Sequence, residues 1–190
     1  GLIFNAQARV FLYLGNLNLA KEYFEKALSY SLTKYQILFN QKDLGFTQYL
    51  MGEKEAGLEN LKEVIQLCQL YGFKVIELIG RSEQAMLLYL ETGRSELLND
   101  LCNITETNRK VGIAGAGSAY AFLSAQEAMR HQHYPDAEDY IRQLEEIGKK
   151  EKSLWFEWHA IELTNQLHQI QGLDTSEDII KRDKCVQEIK

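Results

Sequence analysis

Residues 15–28 read GNLNLAKEYFEKAL. Leu17, Ala20, Phe24, Ala27 and Leu28 recur at a spacing that places them on one stripe of an α-helix. Ahead of Gly15, the residues Phe4, Ala8, Phe11 and Leu12 mark a second such stripe. Glycine suits the left-handed position that ends one helix, and a polar residue after it starts the next. The stretch therefore reads as the return half of a helix–turn–helix.

The same turn recurs along the chain, at Met51-Gly52-Glu53-Lys54, Thr92-Gly93-Arg94-Ser95 and Gln171-Gly172-Leu173-Asp174. Successive glycines lie 37, 41 and 79 residues apart. Midway through the last gap stands His131-Gln132-His133-Tyr134-Pro135, with Gln132 in the place of the glycine. Pro135 falls early in the following helix, where its missing N–H costs nothing. Apolar stripes flank each turn, at 44–50 and 58–67, 86–90 and 97–104, 121–129 and 140–147, and 155–170 and 179–186. A regular interval of this size is the mark of a helical repeat array. The units predicted are about 1–30, 33–70, 73–109, 112–148 and 151–189.

The opening stretch resembles the second half of a tetratricopeptide repeat. That family favours a large apolar residue two places after the turn glycine, alanine five after, an aromatic nine after and alanine twelve after. Leu17, Ala20, Phe24 and Ala27 fill these places. Gly57, Leu61 and Val64 match more loosely in the second unit, and Tyr134, Ala137, Ile141 and Leu144 in the fourth, whereas the third and fifth depart from the pattern. The interval also exceeds the 34 residues usual for the family, as in the divergent arrays of some bacterial signalling regulators. The resemblance implies an all-α fold: a single domain over 1–190, an α-α superhelix of about five antiparallel hairpins and ten helices. Its polar last pair would serve as a cap.

Composition agrees with helix and narrows the function classes. One proline in 190 residues is far below the usual ~5%. The formal net charge is −6, and residues 1–80 hold eight basic and eight acidic side chains while 81–190 hold 13 and 19. No basic run offers a nucleic-acid footprint, so direct nucleic-acid binding is not expected. No stretch is long and apolar enough for a membrane span, and no signal-like N-terminus is present. Cys68, Cys102 and Cys185 are widely spaced and odd in number. They read as free thiols of a reducing compartment, with the cytoplasm as the expected location. Gly1-Leu2-Ile3-Phe4 already follows helical spacing, which predicts a piece of a larger protein.

Three local patterns raise the question of chemistry. Residues 111–121, VGIAGAGSAYA, carry the G-x-x-x-x-G spacing of a phosphate loop at Gly112 and Gly117. Ser118 stands where that motif needs lysine, and a polar helix end rather than a strand precedes it, so the small residues are read as close-packing positions opening the first helix of the fourth hairpin. His131 and His133 lack the further ligands of a structural zinc site and read as turn residues. His159 and His168, nine apart on one helix, point in different directions. Neither a metal nor another cofactor is expected. The cluster Trp155-Phe156-Glu157-Trp158-His159 has two readings, a core anchor or a patch for a partner.

In the family the first helix of each pair lines a concave groove. Residues ten, six, three and two before the turn glycine face it. The resemblance thereby implies partner-binding roles for Asn5, Arg9, Leu12 and Tyr13, then Lys42, Phe46, Tyr49 and Leu50, then Glu83, Leu87, Leu90 and Glu91. The fourth unit supplies Phe122, Gln126, Met129 and Arg130, and the fifth Glu162, Gln166, Gln169 and Ile170. Arg9, Lys42 and Arg130 are too scattered to form the clamp for a terminal carboxylate that some members use. The function expected is non-catalytic docking of a protein or peptide segment in this groove, and the alternative is an effector-sensing domain of a transcription factor or signalling ATPase or kinase. Exposed ends of such an array also leave stacking into a homodimer open.

Overall fold

The computed structural model describes residues 1–113 and 117–189. Ten helices span the described residues: α1 (Leu2–Tyr13), α2 (Leu17–Ser29), α3 (Lys34–Leu50), α4 (Lys54–Tyr71), α5 (Lys74–Thr92), α6 (Glu96–Lys110), α7 (Ser118–Arg130), α8 (Tyr134–Glu151), α9 (Leu154–Gln171) and α10 (Ser176–Ile189). No strand occurs among the described residues. The helices pack in consecutive pairs, with α1 against α2, α3 against α4, α7 against α8 and α9 against α10. The fold is therefore all-α and built of helical hairpins.

The turns hold these hairpins together by one repeated device. At Gly15 the glycine N–H donates to Leu12 O and the Asn16 N–H donates to Phe11 O, at 3.0 and 2.9 Å, closing the orphaned carbonyls of α1. The same pair of bonds recurs at Gly52, Gly172 and Gln132. It requires a left-handed residue, and Gly15, Gly52 and Gly172 have φ of +73°, +93° and +70°. Gln132 adopts φ +61° in their place, a conformation costly for a residue with a Cβ.

Contacts divide the chain into two compact units, Gly1–Leu87 and Leu88–Lys190. In the first, Phe24 is fully buried with Ala8 and Ala20, and Phe11, Leu12, Tyr23 and Leu44 close over them. Burying one such aromatic is worth about 1.5–3 kcal/mol. Leu38, Val64, Cys68 and Ile76 fill the space among α3, α4 and α5. In the second unit one larger core joins α7, α8 and α9 through Ala121, Ala125, Ala137, Ile141, Leu144, Ala160, Leu163 and Leu167.

Small residues set the spacing within the hairpins. Ala8 and Ala20, Gly45 and Gly57, and Ala125 and Ala137 occupy equivalent places seven before and five after the turn residue, and all are buried. A Cβ placed on Gly57 would lie 2.6 Å from Gly45 O and 2.7 Å from Tyr49 N. Backbones at that distance leave no room for a side chain.

The stretch VGIAGAGSAYA differs from its expectation in one respect. The helix that it was expected to open begins at Ser118, and Gly117 caps it from outside with φ +98°. Gly112 also has a positive φ, +72°. These two glycines bend the chain between α6 and α7 before helical geometry resumes, and Ala114, Gly115 and Ala116 lie outside the described residues. Close packing does hold at Gly117, where a Cβ would come 3.0 Å from the Thr105 side chain.

Candidate functional site

In the first unit, first helices α1, α3 and α5 meet through a polar cluster. Asn5 Nδ2 donates to Asn40 Oδ1 at 2.7 Å and to Asp43 Oδ2 at 3.1 Å. Lys42 Nζ donates to Asp43 Oδ1 at 2.5 Å and to Glu83 Oε1 at 2.7 Å. Burial works against the Lys42 charge, but the Asp43 and Glu83 carboxylates outweigh it and hold its pKa above the ordinary lysine range. Burial is also the larger influence on Glu83, whose pKa is raised despite Lys42 beside it. The second oxygen of Glu83 is buried without a hydrogen-bond partner. Arg9 stands at the edge of the cluster and donates to Tyr13 Oη at 3.1 Å.

The sequence-derived residues of this unit thus fall in three environments. Asn5, at 6% exposure, and Lys42, at 2%, lie inside the wall and tie its helices together. Tyr49 is buried and donates from its hydroxyl to Leu87 O at 3.2 Å, with Phe46 partly covered beside it. Arg9 and Tyr13 are exposed, and Glu83 is half-buried. The partners Asn40 and Asp43 were not singled out in the sequence. Their signal was the run Asn40-Gln41-Lys42-Asp43 inside a helix otherwise set among apolar neighbours.

The second unit, taken by itself, contains a groove. A cavity of about 510 Å³ is lined by Phe122 of α7, by Trp158, His159, Glu162, Leu163 and Gln166 of α9, and by Arg182 and Val186 of α10. Phe122, Glu162 and Gln166 are residues that the resemblance assigned to the groove, and here they converge. Trp158, His159, Arg182 and Val186 complete it. The two from α10 belong to a second helix, which the repeat pattern assigns to the outside.

Packing around His159 shapes one side. Its ring meets Trp155, Trp158 and Phe122 edge to face, with centroids 4.4, 4.8 and 5.0 Å away. Burial among these rings lowers its pKa to about 4, so the imidazole is uncharged at neutral pH. Trp158 carries a buried indole N–H without a hydrogen-bond partner. Glu162 is held loosely: Gln166 Nε2 donates to its Oε1 at 3.2 Å, and Arg182 stands 3.9 Å from its Oε2. Arg182 also donates to its neighbour Asp183 from Nε and Nη2, at 3.3 and 3.1 Å.

Along the same wall, Tyr89 donates its hydroxyl proton to Glu127 at 2.5 Å, and Arg130 pairs with that carboxylate at 2.6 Å. The Tyr89 bond is the largest influence holding Glu127 below the usual carboxylate range. His131 lies exposed beside the same carboxylate, 3.2 Å away. Gln126 is half-buried and Arg130 exposed. Among the described residues no group of three potential ligands gathers to hold a metal, and no helix is long and apolar enough to cross a membrane.

No protein-family model matches the chain, and no curated protein matches it either. The likeness to tetratricopeptide repeats therefore rests on the sequence pattern alone.

Proposed function

We propose that the chain is a non-catalytic interaction module of the tetratricopeptide-repeat type, which docks a peptide segment of a partner protein. The observation that carries this reading is the groove on α7, α9 and α10, lined by aromatic and aliphatic side chains together with Glu162, Gln166 and Arg182. That mixture is the usual make-up of a recognition site, where buried aromatics provide affinity and polar groups fix orientation. Because the walls are helices packed on a continuous core, binding is docking into a preformed surface with little ordering cost.

A peptide array probed with the purified protein tests the reading. Peptides retained by the wild type should be lost on Phe122→Ala with the fold intact by circular dichroism; unchanged retention would remove the groove from the binding surface. Phe46→Ala and Tyr49→Ala serve a different purpose. Their side chains contribute to the interior of the first unit, so they report on folding before they report on binding.

The size of the cavity favours a second reading. About 510 Å³ lies within the roughly 300–1,000 Å³ range of small-molecule sites, which suits an effector-sensing domain of a larger regulator. A metabolite at 100 times its dissociation constant would add about 2.7 kcal/mol to stability. A thermal-shift screen in which metabolites raise the melting temperature and array peptides do not would select this second reading.

A further inference from the structure

The groove contains one carboxylate, three aromatic rings and a guanidinium that is only loosely engaged. Residues 88–190 hold 18 acidic and 12 basic side chains, whereas 1–87 hold nine of each. The whole deficit of six charges therefore belongs to the unit that carries the groove. A unit of net negative charge raises the concentration of cations around it and speeds their encounter. The faces of Phe122 and Trp158 attract a cation through the ring quadrupole, and the His159 ring beside them carries no opposing charge at neutral pH.

Arg182 already shows how such a group fits. Its guanidinium lies on the groove from α10, at the outer limit of an ion pair with Glu162, at 3.9 Å. Its side chain is about one-third exposed, and its shorter bonds go along its own helix to Asp183 at 3.1 and 3.3 Å. Exchange for an external cation gives up little, because a partly exposed pair at 3.9 Å is weak.

Resting on the reading of the groove as a peptide site, we propose that it receives a lysine or arginine side chain of a basic peptide. The aliphatic stem lies along Phe122, Leu163 and Val186, and the cationic head pairs with Glu162 in the place that Arg182 now holds. Long cationic side chains suit such a site because their stems cover apolar surface while the head stays at the polar rim. Acidic segments are disfavoured by Glu162 and by the net negative charge of the unit.

Of the two tryptophans of the chain, Trp158 lines the groove and Trp155 stacks on that indole, so intrinsic fluorescence reports on the groove. The probes are blocked pentapeptides with a central arginine, lysine, leucine or glutamate flanked by leucines. Arginine and lysine peptides should bind about tenfold more tightly than the leucine peptide, and the glutamate peptide more weakly still. Glu162→Gln should weaken the arginine peptide about tenfold, while Arg182→Ala should strengthen it by about threefold or more. Glu177→Gln, which changes an exposed carboxylate outside the groove, should leave it unchanged. If the leucine peptide binds as well as the arginine peptide and Glu162→Gln has no effect, the cationic occupant is wrong while peptide docking survives. Arg182→Ala and Glu162→Gln weakening binding alike would show that their pair is structural, which also overturns the proposal. If no probe moves the fluorescence, both the occupant and the peptide-docking reading fail.

Discussion

Gly57 is the residue on which the second hairpin depends most. Alanine occupies its counterparts Ala20 and Ala137, yet here a methyl group would strike two backbone atoms at once, Gly45 O and Tyr49 N. Gly57→Ala gains up to about 1 kcal/mol of helix propensity and loses about 1–3 kcal/mol to overpacking. We expect net destabilisation, read as a lower urea midpoint with an unchanged slope. Gln132 presents the opposite case. It sits in the left-handed turn that glycine fills elsewhere, and Gln132→Gly should raise stability by roughly 0.5–1 kcal/mol. A lower melting temperature for that variant would mean the Gln132 side chain makes compensating contacts. The sequence revealed that position 132 replaces a glycine. It did not reveal Gly57 as the tighter site, because the distance to Gly45 belongs to a helix crossing and not to either helix.

At the scale of the element, α3 shows best what a repeat pattern conveys and what it omits. Its start is set by Thr33, whose side chain accepts from Gln36 N at 3.2 Å, and its end by the turn at Gly52. Both signals are local, but only the turn at Gly52 was singled out in the sequence, and Thr33 was not. The polar run at 40–43 is not explained by helix formation, since it is buried where apolar residues would fold as well. Replacing Lys42 by methionine removes the cation bonded to both Asp43 and Glu83 and leaves only Arg9 at the edge of the cluster, and we expect a loss of about 3–5 kcal/mol. Adding Glu83→Gln to Lys42→Met should recover part of it, measured in a double-mutant cycle by chemical denaturation. Full additivity would show that the two residues do not communicate, contrary to their 2.7 Å contact. In α9 the aromatic run was legible as an anchor or a patch. The structure gives it both kinds of surroundings, since Phe156 packs on the core while Trp158 and His159 line the groove.

For the whole molecule, the pH dependence of stability combines groups of opposite sign. His159 is uncharged when folded, with a pKa of about 4, and titrates near 6.5 when unfolded. Its contribution is present above pH 6.5 and is lost as pH falls towards 4, up to about 3 kcal/mol. Glu127 and Glu77, lowered when folded, add stability above the carboxylate range that disappears in acid. Glu83, raised when folded, works the other way and favours the fold as it takes up a proton. The melting temperature should therefore fall between pH 6.5 and 4.5, and His159→Phe should flatten that segment. An unchanged slope in the variant would mean the imidazole is solvated.

The sequence by itself determined the helices, their turns and their pairing. Those features rest on residues within one or two turns of each other: an apolar period, a glycine at a left-handed position, a proline where no N–H is needed. It also named Phe122, Glu162 and Gln166, which the structure brings together around one cavity. Only the tertiary structure decided which of the named positions are buried ties, like Asn5 and Lys42, and which line a cavity. Only it brought Arg182 and Val186 into the groove, and only it divided the chain into two units within α5. The reason is that exposure depends on how closely two helices cross and on where a distant helix returns. Both are fixed by contacts between residues far apart in the chain.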